Sequence, residues 1–289
     1  MHPCPTLRVT VTLKLLKDQT VLLIALALAF AFMALTMTVA WWTVLKTRNG
    51  GWTDVFWTFG TGMAGVLVSL TPWMGMPGPR QWLVAALVAV WSIRLGIYIA
   101  GRVAGGHADP RYVALTEEWG SNFSRNLYGL AIVQAPATTL LCVSIAAAAL
   151  RPGDALMLTD YLGALILLIG IGGEAVADEQ MRRFRANPSN KGKVMDRGLW
   201  GLSRHPNYFF EWVVWLAYPV IAIDLSGGWV AGWAALVAPV VMYVILRYMT
   251  GVPPLEKVML KSRGDAYRDY QSRVGALLPR LNVFSKDRA

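Results

Sequence analysis

The chain has 289 residues, of which 55% are hydrophobic and only 15% are charged, whereas soluble domains contain about 25% charged residues. Its mean hydropathy of +0.44 is typical of an integral membrane protein and excludes an ordinary soluble fold. The net charge of +10 comes from basic residues that collect between apolar segments, as the positive-inside rule describes. We therefore expect no nucleic-acid partner. With two cysteines and three scattered histidines, we also expect no metal site.

Seven apolar segments approach or exceed the length of about 20 residues that a helix needs to cross a bilayer. They cover residues 20–45, 54–74, 81–101, 127–150, 155–178, 207–223 and 228–248. The sequence therefore predicts an all-α integral membrane protein of about seven transmembrane helices, with residues 1–289 forming a single transmembrane domain.

The loops predict how this bundle is oriented. Residues 179–206 carry seven Lys or Arg residues and the tail from 257 carries eight, whereas the connection at 224–227 carries none. Basic loops stay on the cytoplasmic side, so alternation puts the C-terminus on the cytoplasmic side of the membrane and the N-terminus on the outer side. Arg8, Lys14 and Lys17 speak against an outer N-terminus, and an eighth element or a re-entrant start is the alternative.

The second and third segments carry polar residues that a plain membrane anchor does not need. Asp54 opens the second segment, and the third carries Arg94, Tyr98 and Arg102 at four-residue spacing, which places them on one helix face. Arg94 lies too deep to reach the headgroups, so we expect it to face the bundle interior. Asp54 is a candidate partner for it, and a purely structural ion pair is the alternative to a catalytic role.

Two shorter stretches complete the polar features. Residues 109–120, "DPRYVALTEEWG", predict a short interfacial helix with Asp109 as its N-cap and Pro110 in its first turn. At the end of the fifth segment, residues 173–193 read "GEAVADEQMRRFRANPSNKGK". Four charged residues of this stretch are spaced three or four positions apart, which predicts that they form one polar stripe along a helix: Glu174, Asp178, Arg182 and Arg185. A helix end resting among lipid headgroups is the alternative explanation for the stripe.

Residues 198–212, "GLWGLSRHPNYFFEW", predict where the sixth helix begins. Pro206 suits a first helical turn, and the free N–H groups and positive dipole of that turn favour an anion. Arg204 stands directly before the helix, and further cations can converge from the adjoining segment: Arg182, Arg185, Lys193 and Arg197. Several cations around one helix start predict a multiply charged anionic ligand.

Taken together, these motifs resemble those of a known protein family. "GLWGLSRHPNYFFEW", with "DEQMRRFR" and "NKGK" before it, closely resembles the DUF1295 group of the steroid 5-alpha-reductase family. The likeness is densest from 174 to 212, and the wider superfamily includes sterol C14-reductases and isoprenylcysteine carboxyl methyltransferases. The resemblance implies a seven-helix enzyme of a bacterial inner membrane that holds NADPH in a cavity open to the cytoplasm. Hydride would reach the β-carbon of an enone while a Tyr, supported by a Glu, polarises the carbonyl oxygen.

Matching the family position by position places seven residues on cofactor-contacting positions: Asp178, Arg185, Lys193, Asn207, Tyr208, Glu211 and Arg247. The charge cluster adds five more to the expected NADPH site: Glu174, Arg182, Arg197, Arg204 and His205. The C-terminal half, residues 155–280, is thus expected to bind the cofactor, and residues 20–150 to bind the substrate.

The substrate half departs from the family pattern. Trp91 stands at the position of the catalytic Tyr, with Arg94 one turn beyond, and the Gln-Glu pair of the second helix is missing. Asp54 is the nearest carboxylate there, so the expected catalytic set is Trp91, Arg94, Tyr98 and Asp54. Tyr98, Trp91 and Tyr112 are equivalent candidates for the proton donor, and a steroid substrate does not follow.

Three functions compete. An NADPH-dependent reductase of a lipophilic conjugated alkene explains the dense cations, because NADPH carries a pyrophosphate and a 2′-phosphate. An S-adenosylmethionine-dependent methyltransferase is the alternative, since acidic residues suit that cofactor's ammonium group, although it has no phosphate. A carrier would place its polar groups near the bilayer midplane, whereas these lie at the cytoplasmic edge. The cation count favours the reductase.

Overall fold

The computed structural model describes residues 5–71, 76–106 and 109–280, with side chains from residue 19 onward. Its described residues form helices and their connections, without a β-strand. The α-helices are α1 (Pro5–Thr47), α2 (Trp52–Ser69), α3 (Pro79–Ala104), α4 (Pro110–Trp119), α5 (Phe123–Ile132), α6 (Gln134–Ala149), α7 (Leu158–Ala186), α8 (Pro206–Ala222), α9 (Val237–Tyr248), α10 (Val252–Arg263) and α11 (Asp265–Arg273).

Five described helical stretches are long and apolar enough to cross a membrane, which confirms the all-α membrane class. They are Gln19–Thr47, Pro79–Ala104, Pro110–Ala149, Leu158–Ala186 and Val230–Arg263. The second and sixth predicted segments correspond to α2 and α8, which are shorter, with 18 and 17 residues. The total of seven spans and the orientation of the termini therefore stay predictions.

Several helix boundaries differ from the sequence prediction. The fourth segment is not one straight helix from 127 but the end of a stretch that starts at Pro110 and divides near Val133 into α5 and α6. The seventh begins as a 3-10 turn over Val230–Leu236 before α9. Helix α7 runs eight residues beyond its predicted end at 178, because its polar end is stabilised by i,i+3 and i,i+4 ion pairs of Glu179.

Small residues allow α7 and α8 to pack closely. A Cβ on Gly163 would lie 2.9 Å from the Ala217 carbonyl oxygen, and one on Gly170 would lie 2.9 Å from that of Phe210. Glycine is needed at such positions because the two backbones nearly touch. Gly170, which begins the "GIGG" run of residues 170–173, therefore serves helix packing. The close packing fixes the start of α8 beside the polar end of α7.

One end of the bundle is closed by a buried ion pair. The Arg80 side chain donates to both Asp160 carboxylate oxygens at 2.8 and 2.9 Å, and the two side chains are 3% and 0% exposed. Arg151 donates to the Ile221 carbonyl at 2.8 Å, which ties the same end to α8. The large cavity of the bundle lies elsewhere, since neither Arg80 nor Asp160 lines it.

Candidate functional site

A cavity of about 950 Å³ lies within the bundle. This is near the upper end of the usual range of ligand pockets, roughly 300–1,000 Å³. Its walls come from α2, α3, α4, α7, α10, the start of α8, the loop at 187–195, and the facing sides of α6 and α9. The cavity therefore collects side chains from both halves of the chain, including most of the residues that the sequence predicted.

Two carboxylates of α7 lie on the wall and are held from behind by Arg94. Its guanidinium lies 2.6 Å from Glu174 Oε2 and 2.7 Å from Asp178 Oδ2, and all three side chains are largely buried. Arg94 thus faces the interior as predicted, but the proposed Asp54–Arg94 pair is wrong. The α7 carboxylates are nearer, and two of them neutralise one guanidinium better than a single distant Asp.

Asp54 belongs to a second polar cluster. It forms an ion pair with Arg111, which also contacts Asp109 Oδ2 at 2.9 Å, and it accepts a 3.2 Å hydrogen bond from the Tyr112 hydroxyl. Asp109 caps α4 through the Arg111 N–H, as the sequence predicted. Burial of the Asp109 carboxylate disfavours its charged form, but Arg111 and then Arg102 outweigh burial and hold its pKa below the usual value. The cluster fixes α4 against α2.

The three candidate proton donors have different surroundings. Trp91 is 1% exposed, does not line the cavity, and donates its indole N–H to Glu211 Oε2 at 2.8 Å. Tyr112 lines the cavity, but its hydroxyl is used by Asp54. Tyr98 lines the cavity, and the centroid of its ring lies 5.5 Å from the Arg94 guanidinium and 5.9 Å from that of Arg102. Of the three, Tyr98 combines access with charged neighbours.

The start of α8 is arranged around Glu256 of α10. Arg204 Nε lies 2.6 Å from Glu256 Oε1, and His205 Nε2 lies 3.2 Å from the same oxygen. Burial lowers the pKa of His205 below 6.5, although the hydrogen bond and charge of Glu256 oppose this shift. Both residues line the cavity, together with Asn207 and Tyr208, whose ring stacks on His205 at 5.6 Å. The charge of Arg204 is therefore already compensated within the protein.

Four cations of the cavity wall have no ion pair among the described residues: Arg185, Lys191, Lys193 and Arg263. They meet where α7 ends, where the 187–195 loop returns and where α10 ends. Arg263 Nε donates to the Lys193 carbonyl at 3.4 Å, and Arg185 is close enough to Arg263 for their charges to repel. This group, termed here the mouth cations, concentrates uncompensated positive charge on one side of the cavity.

The structure brings most of the expected cofactor residues together and leaves three outside. Glu174, Asp178, Arg185, Lys193, Arg204, His205, Asn207, Tyr208 and Glu211 line the cavity. Arg182 is exposed and bound to Glu179 at 2.6 Å, Arg197 is exposed, and Arg247 lies 5.0 Å from the Tyr248 ring. None of these last three lines the cavity. Within the described residues, no group of three or more His, Cys, Asp or Glu is arranged to hold a metal ion.

Comparison with known proteins identifies the family of this chain. The model of the family described as "Protein of unknown function (DUF1295)" matches residues 40–274, which include every wall of the cavity. The chain belongs to the DUF1295 family. This family is part of the steroid 5-alpha-reductase-like group, so the resemblance stated from the sequence is confirmed.

One curated relative of this DUF1295 chain carries a functional name. It is the "Probable O-methyltransferase ustE" of Ustilaginoidea virens, 35% identical over 94 residues, which are 32% of this chain and 32% of the relative. The chain thus matches about a third of that protein's length. No solved structure matches the chain.

Four cavity residues of the DUF1295 chain were missed by the sequence analysis as site residues: Arg111, Asp109, Lys191 and Arg263. Asp109 had been assigned only as a helix cap, and Arg111 follows it in the same "DPRY" motif. The pairing of Arg111 with Asp54 joins residues 57 positions apart, which no local pattern reveals. Arg263 lies at the end of α10, where a basic residue near the last turn is common for helix stability alone.

Proposed function

We propose that this chain is a membrane-embedded, NADPH-dependent reductase that transfers hydride to the C=C bond of a lipophilic, enone-like substrate. The observation that carries the proposal is the set of mouth cations, which lie on a cavity whose opposite walls are apolar. A ligand that fits both features needs several negative charges at one end. NADPH has a pyrophosphate and a 2′-phosphate, and it works next to an apolar substrate.

The residues present suit such a cofactor. Arg185, Lys191, Lys193 and Arg263 would contact the phosphates, and guanidinium groups can do so through two parallel hydrogen bonds. Helix α8 begins beside them without a side-chain cap, so its first N–H groups are free to donate to an anion. Arg94, Arg111 and Arg204 are compensated by carboxylates, so the mouth cations are the side chains with positive charge left for the phosphates.

NADPH, when bound, supplies the hydride that adds to the β-carbon of a conjugated alkene. The chain's own contribution would come from Tyr98, whose hydroxyl can donate a hydrogen bond to the carbonyl oxygen and supply the proton that the product gains. The guanidinium groups of Arg94 and Arg102 lie 5.5 and 5.9 Å from the Tyr98 ring, and Arg94 keeps Asp178 in place at 2.7 Å. Tyr98, rather than Trp91, would therefore donate to the substrate, because the Trp91 N–H already donates to Glu211.

A second candidate, an S-adenosylmethionine-dependent methyltransferase, is favoured by two observations. Glu174, Asp178 and Glu211 place three buried carboxylates on the cavity wall around the single guanidinium of Arg94. An excess of buried negative charge suits a cationic ligand, and the methyl-donor cofactor has an ammonium and a sulfonium group. The name of the relative from Ustilaginoidea virens points the same way.

The two candidates differ in which cofactor the purified protein binds. We expect isothermal titration in detergent to detect NADPH binding and no S-adenosylmethionine binding. Arg185→Ala should weaken NADPH binding about tenfold, the loss of one charge-assisted contact of about 1.4 kcal/mol. Arg183→Ala is the matched control, because Arg183 lies on the same helix, is 75% exposed and contacts Glu179. Equal effects of the two substitutions, or binding of S-adenosylmethionine alone, would reject the reductase.

A further inference from the structure

Helices α6 and α9 are joined at one point and both line the cavity beyond it. The Ala238 N–H donates to the Ser144 hydroxyl at 2.8 Å, a contact buried in the bundle. From that point α6 runs back through 140 toward 133 and α9 runs forward through 240 toward 246. Residues of both stretches line the cavity. We term this part of the cavity wall the α6–α9 crevice.

The crevice opens on the outside of the bundle. Four of its side chains line the cavity and are also exposed on the protein surface: Val133 (52%), Leu140 (43%), Val240 (61%) and Val244 (41%). Side chains that line the cavity and keep this much exposed surface mark the part of the wall where the cavity lies nearest the outside of the bundle. Both stretches belong to helices that are long and apolar enough to span the membrane, Pro110–Ala149 and Val230–Arg263, so the surface outside them is in contact with lipid.

The chemistry of the crevice differs from that of the mouth cations. Neither residues 133–149 nor residues 237–246 contain a charged side chain. A phosphate group would be costly to bring through such a surface, whereas a hydrocarbon chain passes from lipid to the crevice without losing favourable contacts. The two sides of one cavity thus suit two ligands of opposite character that arrive by different routes.

We infer that the α6–α9 crevice, formed by Val133, Ala137, Leu140, Val240 and Val244, admits the hydrocarbon chain of the substrate sideways from the bilayer. The substrate class is then an aliphatic or isoprenoid molecule whose chain lies in the crevice while its polar, reacting end reaches Tyr98. The identity of the reacting end rests on the proposed function, but the crevice and its occupant do not.

The test is photolabelling of the full-length protein in lipid nanodiscs with hexadecanol that carries a mid-chain diazirine and a terminal alkyne. Adducts are mapped by peptide mass spectrometry with and without excess unlabelled hexadecanol. We expect adducts on residues 133–140 and 240–244 that the competitor displaces. Adducts on Leu165, which is 53% exposed on α7 and does not line the cavity, should persist as ordinary lipid contacts.

Two variants that fill the crevice, Ala137→Trp and Val240→Trp, should lose the displaceable adducts, whereas Leu165→Trp should keep them. Thermal unfolding of the same samples reports whether each variant is folded, and NADPH titration reports whether the cofactor proposal holds. Displaceable labelling that is equal on α7, or that survives in both crevice variants, would overturn the inference. If NADPH does not bind but the displaceable labelling is lost only in the crevice variants, the reductase proposal fails and the crevice assignment stands.

Discussion

Tyr98 differs from the two other candidate donors because it lines the cavity and its polar group is not taken up by a hydrogen bond to Glu211 or Asp54, as those of Trp91 and Tyr112 are. We predict that Tyr98→Phe lowers kcat by roughly 100-fold, the lower range for loss of a general acid, and leaves NADPH binding unchanged. The measurement is NADPH oxidation with a panel of lipophilic enones and enals. Tyr161→Phe is the control, because Tyr161 is 59% exposed on α7 and lies away from the cavity. Undiminished turnover in Tyr98→Phe would move the donor role to another residue.

For single residues, the sequence predicted which side chains line the cavity better than it predicted which residues they contact. Of the α7 stripe, Glu174, Asp178 and Arg185 line the cavity and Arg182 does not. An α-helix turns about 100° per residue, so Arg185 lies only about 20° around the helix from Glu174, whereas Arg182 lies about 80° away. At that angle Arg182 meets Glu179 one turn earlier. The spacing had placed both arginines on one stripe, but their angles around the helix differ enough that only Arg185 faces the cavity.

Partners that come from distant segments could not be predicted in the same way. Arg204 was expected to serve a ligand, but it pairs with Glu256, 52 positions later. The motif "SRHPNY" gives no sign of this contact, because α10 reaches the start of α8 only through the tertiary fold. A net charge counted along the sequence consequently overstates the charge left for a ligand.

At the scale of helices, α3 and α7 are joined by the buried ion pair of Arg80 and Asp160. Arg80 contacts Asp160 and also donates to the carbonyls of Arg151, Pro152 and Ala155. We predict that Asp160→Asn lowers the free energy of unfolding by about 3 kcal/mol, because it leaves a buried guanidinium without its counter-charge. Thermal unfolding in detergent measures this effect, and NADPH affinity should not change because the pair lies away from the cavity.

Two comparisons separate this effect from a general loss of packing. The double variant Arg80→Met with Asp160→Leu should recover much of the stability, since apolar replacements of a buried pair are often neutral or stabilising. Lys261→Gln should change stability little, because its contact with Glu117 is 3.5 Å long and both side chains are mostly exposed. A stable Asp160→Asn variant would mean that the neighbouring carbonyls compensate Arg80 alone.

On the scale of the whole molecule, the bundle has two ends. The basic segments that the sequence predicts to be cytoplasmic lie at one end, and the connections with few basic residues lie at the other. The predicted inner segments meet at the cavity end, where Lys257 contacts Glu118 at 2.8 Å and the Arg204 N–H donates to the Gly275 carbonyl. The opposite end contains Arg80 with Asp160, and the Trp229 indole N–H donates to Ala147. Loop charge could predict this grouping because all inner loops share one side, but the depth and walls of the cavity depend on side-chain packing.

This division makes the membrane orientation testable, because the mouth cations can bind a cytoplasmic cofactor only if the cavity end faces the cytoplasm. We predict that Ser189→Cys, at the cavity end, is protected from a membrane-impermeant maleimide in intact cells and labelled after permeabilisation. Ser226→Cys, at the opposite end, should be labelled in both conditions, since both serines are exposed. The background carries Cys4→Ser and Cys142→Ala, so that each variant has one thiol. The reverse labelling pattern would place the mouth cations outside the cell, where NADPH is absent, and would exclude the reductase.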